Sequence, residues 1–98
     1  MDNDPPEIKP SFSVDQIGSK KIRDESFIIY PKEVKVYLAA TDKHVGTETI
    51  FYSIGGGEEK TYTRPIQYFR QGSNVTIDIR ALDILGNESK KTLTFSVE

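Results

Sequence analysis

The sequence VKVYLAAT at residues 34–41 places an apolar side chain at every second position. A period of two is the pattern of a β-strand that has one buried face and one face in water. This stretch is the clearest strand signal in the chain. It predicts that Val34, Val36, Leu38 and Ala40 point inward, and that Lys35, Tyr37, Ala39 and Thr41 point outward.

The same period recurs on both sides of this stretch, at residues 8–14, 49–54, 75–82 and 92–97. Pro10 cannot donate a hydrogen bond to a strand ladder, so the first of these runs is predicted to be an edge strand. Shorter strands are expected at residues 27–30, 60–63 and 66–69, and a polar stretch at residues 18–25 separates the first run from the next. Gly55, Gly56 and Gly57 predict a turn, and so do the segments 71–73 and 83–87.

No run of ten residues has helical periodicity, so the fold class is all-β. About seven short strands, separated by turns every ten residues or so, predict an antiparallel β-sandwich of two sheets. A closed barrel is the alternative. Inward residues of the last two runs are expected to be Val75, Ile77, Ile79, Ala81, Leu93, Phe95 and Val97, with Thr94 and Ser96 among the outward ones.

The chain has 98 residues, which is the size of one domain. We expect residues 1–6 to be an N-terminal linker and residues 7–98 to form the domain, a module cut from a longer protein. The formal net charge of −2 argues against a nucleic-acid partner. No apolar run is long enough to insert into a membrane, and the absence of cysteine excludes disulfides and thiolate chemistry.

Several short motifs occur in an order that resembles a known family. They are Asp4-Pro5-Pro6, the strand end Ala39-Ala40-Thr41-Asp42, Ile50-Phe51-Tyr52-Ser53-Ile54 before the glycines, Tyr62-Thr63-Arg64-Pro65-Ile66, and Ala81-x-Asp83-x-x-Gly86-Asn87. This order is similar to that of the bacterial immunoglobulin-like modules found in large secreted and outer-membrane proteins and appended to glycosidases. The resemblance runs nearly end to end.

The resemblance implies a seven-stranded immunoglobulin-like or fibronectin-type-III-like sandwich, repeated in tandem or placed beside a catalytic domain. It implies no activity. The expected function is that of a structural, spacer or protein-interaction module in an extracellular, periplasmic or cell-surface protein. Expected partners are the neighbouring domains of the same polypeptide, and a cell-surface protein or a glycan.

Four oxygen-bearing side chains are expected at one pole of such a sandwich, because the loops that carry them meet there. They are Asp4, Asp42, Asp83 and Asn87. Carboxylate and amide oxygens are ligands of Ca²⁺, so a calcium-stiffened linker is one alternative function. The simpler interpretation is that all four are turn and cap residues and that the chain has no cofactor.

Three aromatic residues fall on outward positions of the predicted strands: Tyr37, Phe51 and Tyr68. Exposed rings on a sheet can stack on sugars or pack against a neighbouring domain. A carbohydrate-binding accessory module is therefore the second alternative, although aromatic residues on an outer face also pair across strands simply to stabilise a sheet.

The sequence offers little for catalysis. His44 is the only histidine and lies in a polar loop, away from any candidate nucleophile. Glu58 and Glu59 are adjacent, so they point to opposite sides of an extended chain and cannot face one sugar ring as a glycosidase pair. We therefore expect this chain not to be an enzyme.

Overall fold

The computed structural model describes residues 6–41 and 49–98, which form strands and connecting turns. The strands are β1 (Glu7–Phe12), β2 (Gly18–Ile22), β3 (Glu25–Tyr30), β4 (Val36–Thr41), β5 (Thr49–Ile54), β6 (Lys60–Thr61), β7 (Ser73–Leu82) and β8 (Glu88–Val97).

The eight strands form two hydrogen-bonded sheets. One sheet contains β1 and β4, paired antiparallel with Glu7 opposite Thr41 and Phe12 opposite Val36. The other has six strands in the order β2-β3-β8-β7-β5-β6. The predicted all-β class and two-sheet arrangement are confirmed for the described residues, which form two sheets and not one closed barrel.

One pairing differs from the predicted antiparallel pattern. β3 and β8 run parallel, with Ile29 beside Ser96 and Tyr30 beside Val97. β3 and β8 lie far apart along the chain, so no tight turn joins them and antiparallel pairing is not imposed. The remaining pairs, β1–β4, β2–β3, β5–β6, β5–β7 and β7–β8, are antiparallel.

The polar stretch before β3 contains a strand that the sequence pattern did not indicate. β2 pairs with β3 as a hairpin, and a two-residue loop of Arg23 and Asp24 joins them. Arg23 has a φ of 58°, in the left-handed region that such tight turns require. Because neither face of β2 is buried, the strand has no apolar alternation, and only its backbone pairing reveals it.

The strand predicted at residues 66–69 is largely absent. A single bridge joins Ile66 to Val36, and the two residues exchange backbone hydrogen bonds of 2.8 and 2.9 Å. Two residues later Tyr68 has a φ of 69°. A left-handed φ ends an extended segment, so the chain turns away from β4 after this bridge.

One core lies between the two sheets. The inward residues predicted on β4 and β7 are confirmed as buried or half-buried. The buried apolar residues are Ile8, Tyr30, Val34, Val36, Leu38, Ile66, Val75, Ile77, Ile79, Ala81, Phe95 and Val97. Residues Ile50, Tyr52 and Leu93 pack against this cluster at its margin.

Aromatic rings connect the two sheets across this core. Phe12 of β1 stacks on Tyr30 with 4.1 Å between ring centroids, and meets Phe95 of β8 edge-on at 5.4 Å. Phe69 meets Phe95 edge-on from another side, also at 5.4 Å. Offset and edge-to-face contacts of this kind stabilise a core beyond the area they bury.

Ser96 lies on the outer face of β8, as predicted, but it is fully buried instead of exposed to solvent. The neighbouring strand β3 places Ile29 beside it. The Ser96 hydroxyl donates to Oδ1 of Asn74 at 2.7 Å, so the buried oxygen has a partner. The pairing of β3 with β8, which the sequence pattern did not indicate, therefore explains this difference.

The first and last described residues lie at opposite ends of β8. Pro6 is buried, and its carbonyl accepts a hydrogen bond from the hydroxyl of Ser89, near the start of β8. Glu98 follows the end of β8, and its backbone N–H donates to the carbonyl of Tyr30 at 3.0 Å. We call the end that carries Pro6 and the β7–β8 turn the entry pole, and the end that carries Gly72 and Glu98 the exit pole.

Candidate functional site

The β7–β8 turn at the entry pole is organised by the side chain of Asp83. Its Oδ1 accepts hydrogen bonds from the backbone N–H groups of Leu85 and Asn87, both at 2.9 Å. Its Oδ2 accepts a bond from Nδ2 of Asn87 at 3.0 Å. Gly86 takes a φ of 88° and donates its N–H to the Asp83 carbonyl. The turn is thus held by a buried carboxylate within the loop itself.

Two of the four predicted calcium ligands come together in this turn, and two lie outside the described residues. Asp83 and Asn87 bond to each other, as expected of turn residues. Asp4 and Asp42 belong to residues 1–5 and 42–48, outside the described parts of the chain, as does His44. Residues 6–41 and 49–98 contain no group of three or more histidine, cysteine, aspartate or glutamate side chains arranged to hold a metal ion. The calcium site stays a prediction.

The three predicted aromatic contact residues occupy separate surfaces. Tyr37 is exposed on the outer side of β4, between the buried Val36 and Leu38. Phe51 lies on the outer side of β5, in the other sheet. Tyr68 lies at the exit pole, beside the end of β5. No two of them share a flat platform, so the structure does not bring them together into one sugar-stacking surface.

Phe51 is covered by a charged side chain. The guanidinium carbon of Arg80, its cross-strand neighbour on β7, lies 4.5 Å from the centre of the ring. An arginine in this position is attracted by the electron-rich face of the ring. The ring face that Arg80 covers is therefore not free to stack on a ligand.

Arg80 is also the centre of an ion-pair network on the outer face of the six-stranded sheet. Its Nε and Nη2 bond to the two carboxylate oxygens of Glu59, at 3.1 and 2.8 Å. Its Nη1 bonds to Glu88 at 3.2 Å, and Lys90 approaches Glu88 at 3.7 Å. The hydrogen bond from Arg80 lowers the pKa of Glu59, and the two carboxylates raise the pKa of Arg80. The network ties the glycine-rich β5–β6 loop to β7.

An open groove of about 380 Å³ runs beside this network. Ser53, Asp78 and Thr92 form its polar floor, and the Thr92 hydroxyl donates to Asp78 at 2.9 Å. Charges of both signs surround it and are mostly paired with one another. The sequence pattern placed these residues outward, but it could not pair Phe51 with Arg80, because strand register depends on which strands are neighbours.

A second groove, of about 300 Å³, lies at the exit pole. Ile54, Tyr68 and Phe69 are among the apolar residues that line it, and Arg70 lines it as well. Tyr68 is 89% exposed, and Ile54 is exposed at the end of β5. Tyr68 holds this position with a left-handed φ, which is unusual for a residue with a large side chain.

The turn at the entry pole also exposes apolar surface. Ile84 and Leu85 are 66% and 59% exposed. The sequence pattern predicted residues 83–87 to be a turn that carries two candidate calcium ligands, Asp83 and Asn87, and did not indicate this exposed apolar surface. The available signal was the residue type, because a turn of this kind usually has polar residues where Ile84 and Leu85 stand.

Comparison with known proteins adds no assignment. No protein-family model, no curated protein and no solved structure matches this chain. Within residues 6–41 and 49–98 there is no helix of the length and apolarity needed to cross a membrane.

Proposed function

We propose that this chain is a non-catalytic, immunoglobulin-like structural module of a larger secreted or cell-envelope protein, acting as a spacer or as an interaction domain. The observation that carries the proposal is the placement of the chain ends. Pro6 packs at Ser89 and Glu98 bonds to Tyr30, at opposite ends of β8. The extended strand from Ser89 to Val97 spans eight residue-to-residue steps, which corresponds to about 27 Å.

A module whose chain enters at one pole and leaves at the other adds its length to the protein that contains it. Both ends are held by tertiary contacts, since β1 pairs with β4 and β8 pairs with β7 over ten residues. The neighbours of such a domain are therefore held at its two ends. This is the geometry of a spacer that joins domains end to end.

Strand order supports the immunoglobulin-like part of the proposal. In that fold the third, sixth and seventh strands share one sheet, and the first and second strands share the other. Here β5, β7 and β8 are successive neighbours in one sheet, and β1 pairs with β4 in the other. The bridge between Ile66 and Val36 occupies the place of the fifth strand beside the second. The β2–β3 hairpin is then an addition on the outer edge of β8.

The proposal is tested by finding the native protein. An antibody raised against the purified chain is used to blot fractionated native cells, with the antibody pre-absorbed on the same chain as the control. We expect a specific band much heavier than 11.1 kDa in the envelope or the medium. A specific soluble band near 11.1 kDa inside the cell would mean a free-standing protein and would contradict the proposal.

A further inference from the structure

β2 is the outermost strand of the six-stranded sheet. It pairs with β3 on one side, and no strand within residues 6–41 and 49–98 pairs with its other side. An open edge of this kind presents unpaired N–H and C=O groups to any extended strand that approaches it. Natural sheets protect such edges, often with lysine, and β2 carries two lysines, Lys20 and Lys21.

The hydrogen bonds of β3 show which backbone groups of β2 face the open edge. The carbonyl of Ile29 accepts a bond of 2.8 Å from Ile17, so Ile29 directs its backbone groups toward β2. Ile28 directs its own groups the other way, and Ser19 is the residue of β2 opposite it. Residues that lie opposite each other in an antiparallel pair exchange either both hydrogen bonds or neither. The N–H and C=O groups of Ser19, and those of Lys21 two residues later, therefore point to the open edge.

Apolar side chains surround these free backbone groups. Ile17, Ile22 and Ile28 are all exposed to solvent. Ile17 precedes β2, Ile22 ends it, and Ile28 lies on the neighbouring strand β3. β2 contains no proline that would remove an N–H group from its edge. Without its charges, the edge would offer both hydrogen-bonding groups and apolar surface to an added strand.

We propose that Lys20 and Lys21 protect the open edge of β2 from pairing with β2 of a second copy of this chain. Two copies related by a two-fold axis would align their β2 strands antiparallel. The register that uses all the free groups places Ser19 of each copy opposite Lys21 of the other. This register brings the two Lys20 residues directly opposite each other, and like charges in that position destabilise a strand pair.

The neighbouring registers are also unfavourable. A shift of two residues toward the hairpin loop places the two Lys21 residues opposite each other, and Lys21 forms no ion pair with any other described residue. A shift of two residues the other way leaves only Ser19 of each β2 to exchange bonds within the two strands. Lys20 bonds to Glu98 at 3.2 Å, but this exposed ion pair is weak and balances only one of the two lysines.

This protection does not depend on the proposed spacer function, because it concerns any two copies that meet in solution. Sedimentation velocity of the complete chain tests it. Lys20→Thr/Lys21→Thr removes both charges and introduces residues that favour strands. Between about 20 and 500 μM we expect the unchanged chain to be monomeric and the double variant to form dimers, with a dissociation constant at least roughly tenfold lower.

Two matched controls locate the association. Ser19→Pro, added to the double variant, removes an N–H group that β3 does not use, so it should block the edge and restore the monomer. Lys9→Thr/Lys32→Thr removes the same charge from β1 and from the turn before β4, and it should stay monomeric. Circular dichroism and thermal melting confirm that each variant remains folded before its mass is measured.

A charge-swapped chain, Lys20→Glu/Lys21→Glu, tests the electrostatic cause separately. Alone it should be monomeric, because like charges again lie opposite each other in the paired registers. Mixed with the unchanged chain in equal amounts it should form a heterodimer, because each glutamate then lies opposite a lysine.

The proposal would be overturned by a Lys20→Thr/Lys21→Thr chain that stays monomeric at about 500 μM. Dimers that Ser19→Pro does not remove would also overturn it, and so would equal association of the Lys9→Thr/Lys32→Thr chain. Failure of the charge-swapped chain to pair with the unchanged chain would show that charge does not control this edge. None of these outcomes bears on the spacer function, which the blot of the native protein tests.

Discussion

The two faces of β7 bury very different amounts of surface and are stabilised in different ways. On the inner face, Val75, Ile77, Ile79 and Ala81 are buried against the opposite sheet. On the outer face, Asp78 and Arg80 form hydrogen bonds and ion pairs in contact with water. Burial of apolar surface contributes steadily to folding, whereas exposed ion pairs are weakened by solvent and salt.

The two faces differ in how far a substitution should lower the free energy of unfolding. Substitutions on the buried inner face should lower it most, whereas residues on the outer face and at the poles can be substituted, or can form new contacts, with little loss of stability. Exposed features such as Ile84, Leu85 and Tyr68 are therefore better candidates for interaction than any core residue. The following changes test this division, beginning with the largest expected effect.

Ile77→Ala should lower the free energy of unfolding more than any of the other changes below. Ile77 is 0% exposed and lies in the core, so its loss leaves a cavity between the sheets, with an expected cost of about 2 to 5 kcal/mol. Urea denaturation followed by circular dichroism measures this. The matched control is Thr94→Ala on the outer face of β8, which should change stability by less than about 0.5 kcal/mol. If the two variants were equally stable, the assignment of inner and outer faces would be wrong.

Asp83→Ala should cost about 1 to 3 kcal/mol, because it removes a buried carboxylate that accepts at least three hydrogen bonds within the β7–β8 turn. Thermal melting gives the loss, and amide hydrogen exchange at Leu85 and Asn87 shows whether it is local. Asp83→Asn is the control, since it keeps one oxygen for the two backbone donors and should lose less. An Asp83→Ala variant with unchanged melting and unchanged exchange would contradict this role of the carboxylate.

Ser96→Ala probes the one outer-face position of β8 that is buried. Its hydroxyl bonds to Asn74, whose own side chain can turn to water, so we expect a loss of about 0.5 to 1 kcal/mol. Thr92→Ala, which removes a similar bond to Asp78 at an exposed site, should cost less in the same denaturation experiment. A larger loss for Thr92→Ala would mean that β3 does not cover Ser96.

Glu59→Gln should lower the melting temperature less than the changes above, and the size of this decrease should depend on pH. Arg80 lowers the pKa of Glu59 in the folded state, so the ion pair stabilises the fold above the ordinary value of 4.5 and is lost as pH falls below it. Glu59 is 46% exposed, and the difference in melting temperature at pH 7 should be small. The difference in melting temperature between the variant and the unchanged chain should become smaller as the solution is acidified. Glu58→Gln is the control, and an identical pH dependence for both variants would argue against the ion pair.

Strands could be predicted from the sequence where one of their two faces is buried. β4 and β7 have one face in the core, so their alternation predicted the inward residues correctly. β2 has no buried face, and its sequence GSKKI therefore carries no strand signal. The strand prediction at residues 66–69 was wrong for another reason. Tyr68 has a left-handed φ, and the sequence has no glycine or asparagine at that position to indicate it.

The candidate sites were predictable only within single segments. The Asp83 turn was expected from its own five residues, because an aspartate side chain can accept bonds from backbone N–H groups two or three positions later. The observed donors are Leu85, two positions later, and Asn87, four positions later. The covering of Phe51 by Arg80 was not expected, because it depends on the register between β5 and β7. The groove at the exit pole joins Ile54 to Tyr68 and Asn74, and this too requires the folded chain.

Alternation and local backbone preference were enough to predict the all-β class, the buried face of each strong strand and the positions of the glycine turns. The parallel β3–β8 pairing, the burial of Ser96, the ion pairs of Arg80 and the separation of the two chain ends along β8 arise only in the folded chain. Those features join residues far apart in the chain. Their contacts depend on strand order and register, which no local pattern of side chains specifies.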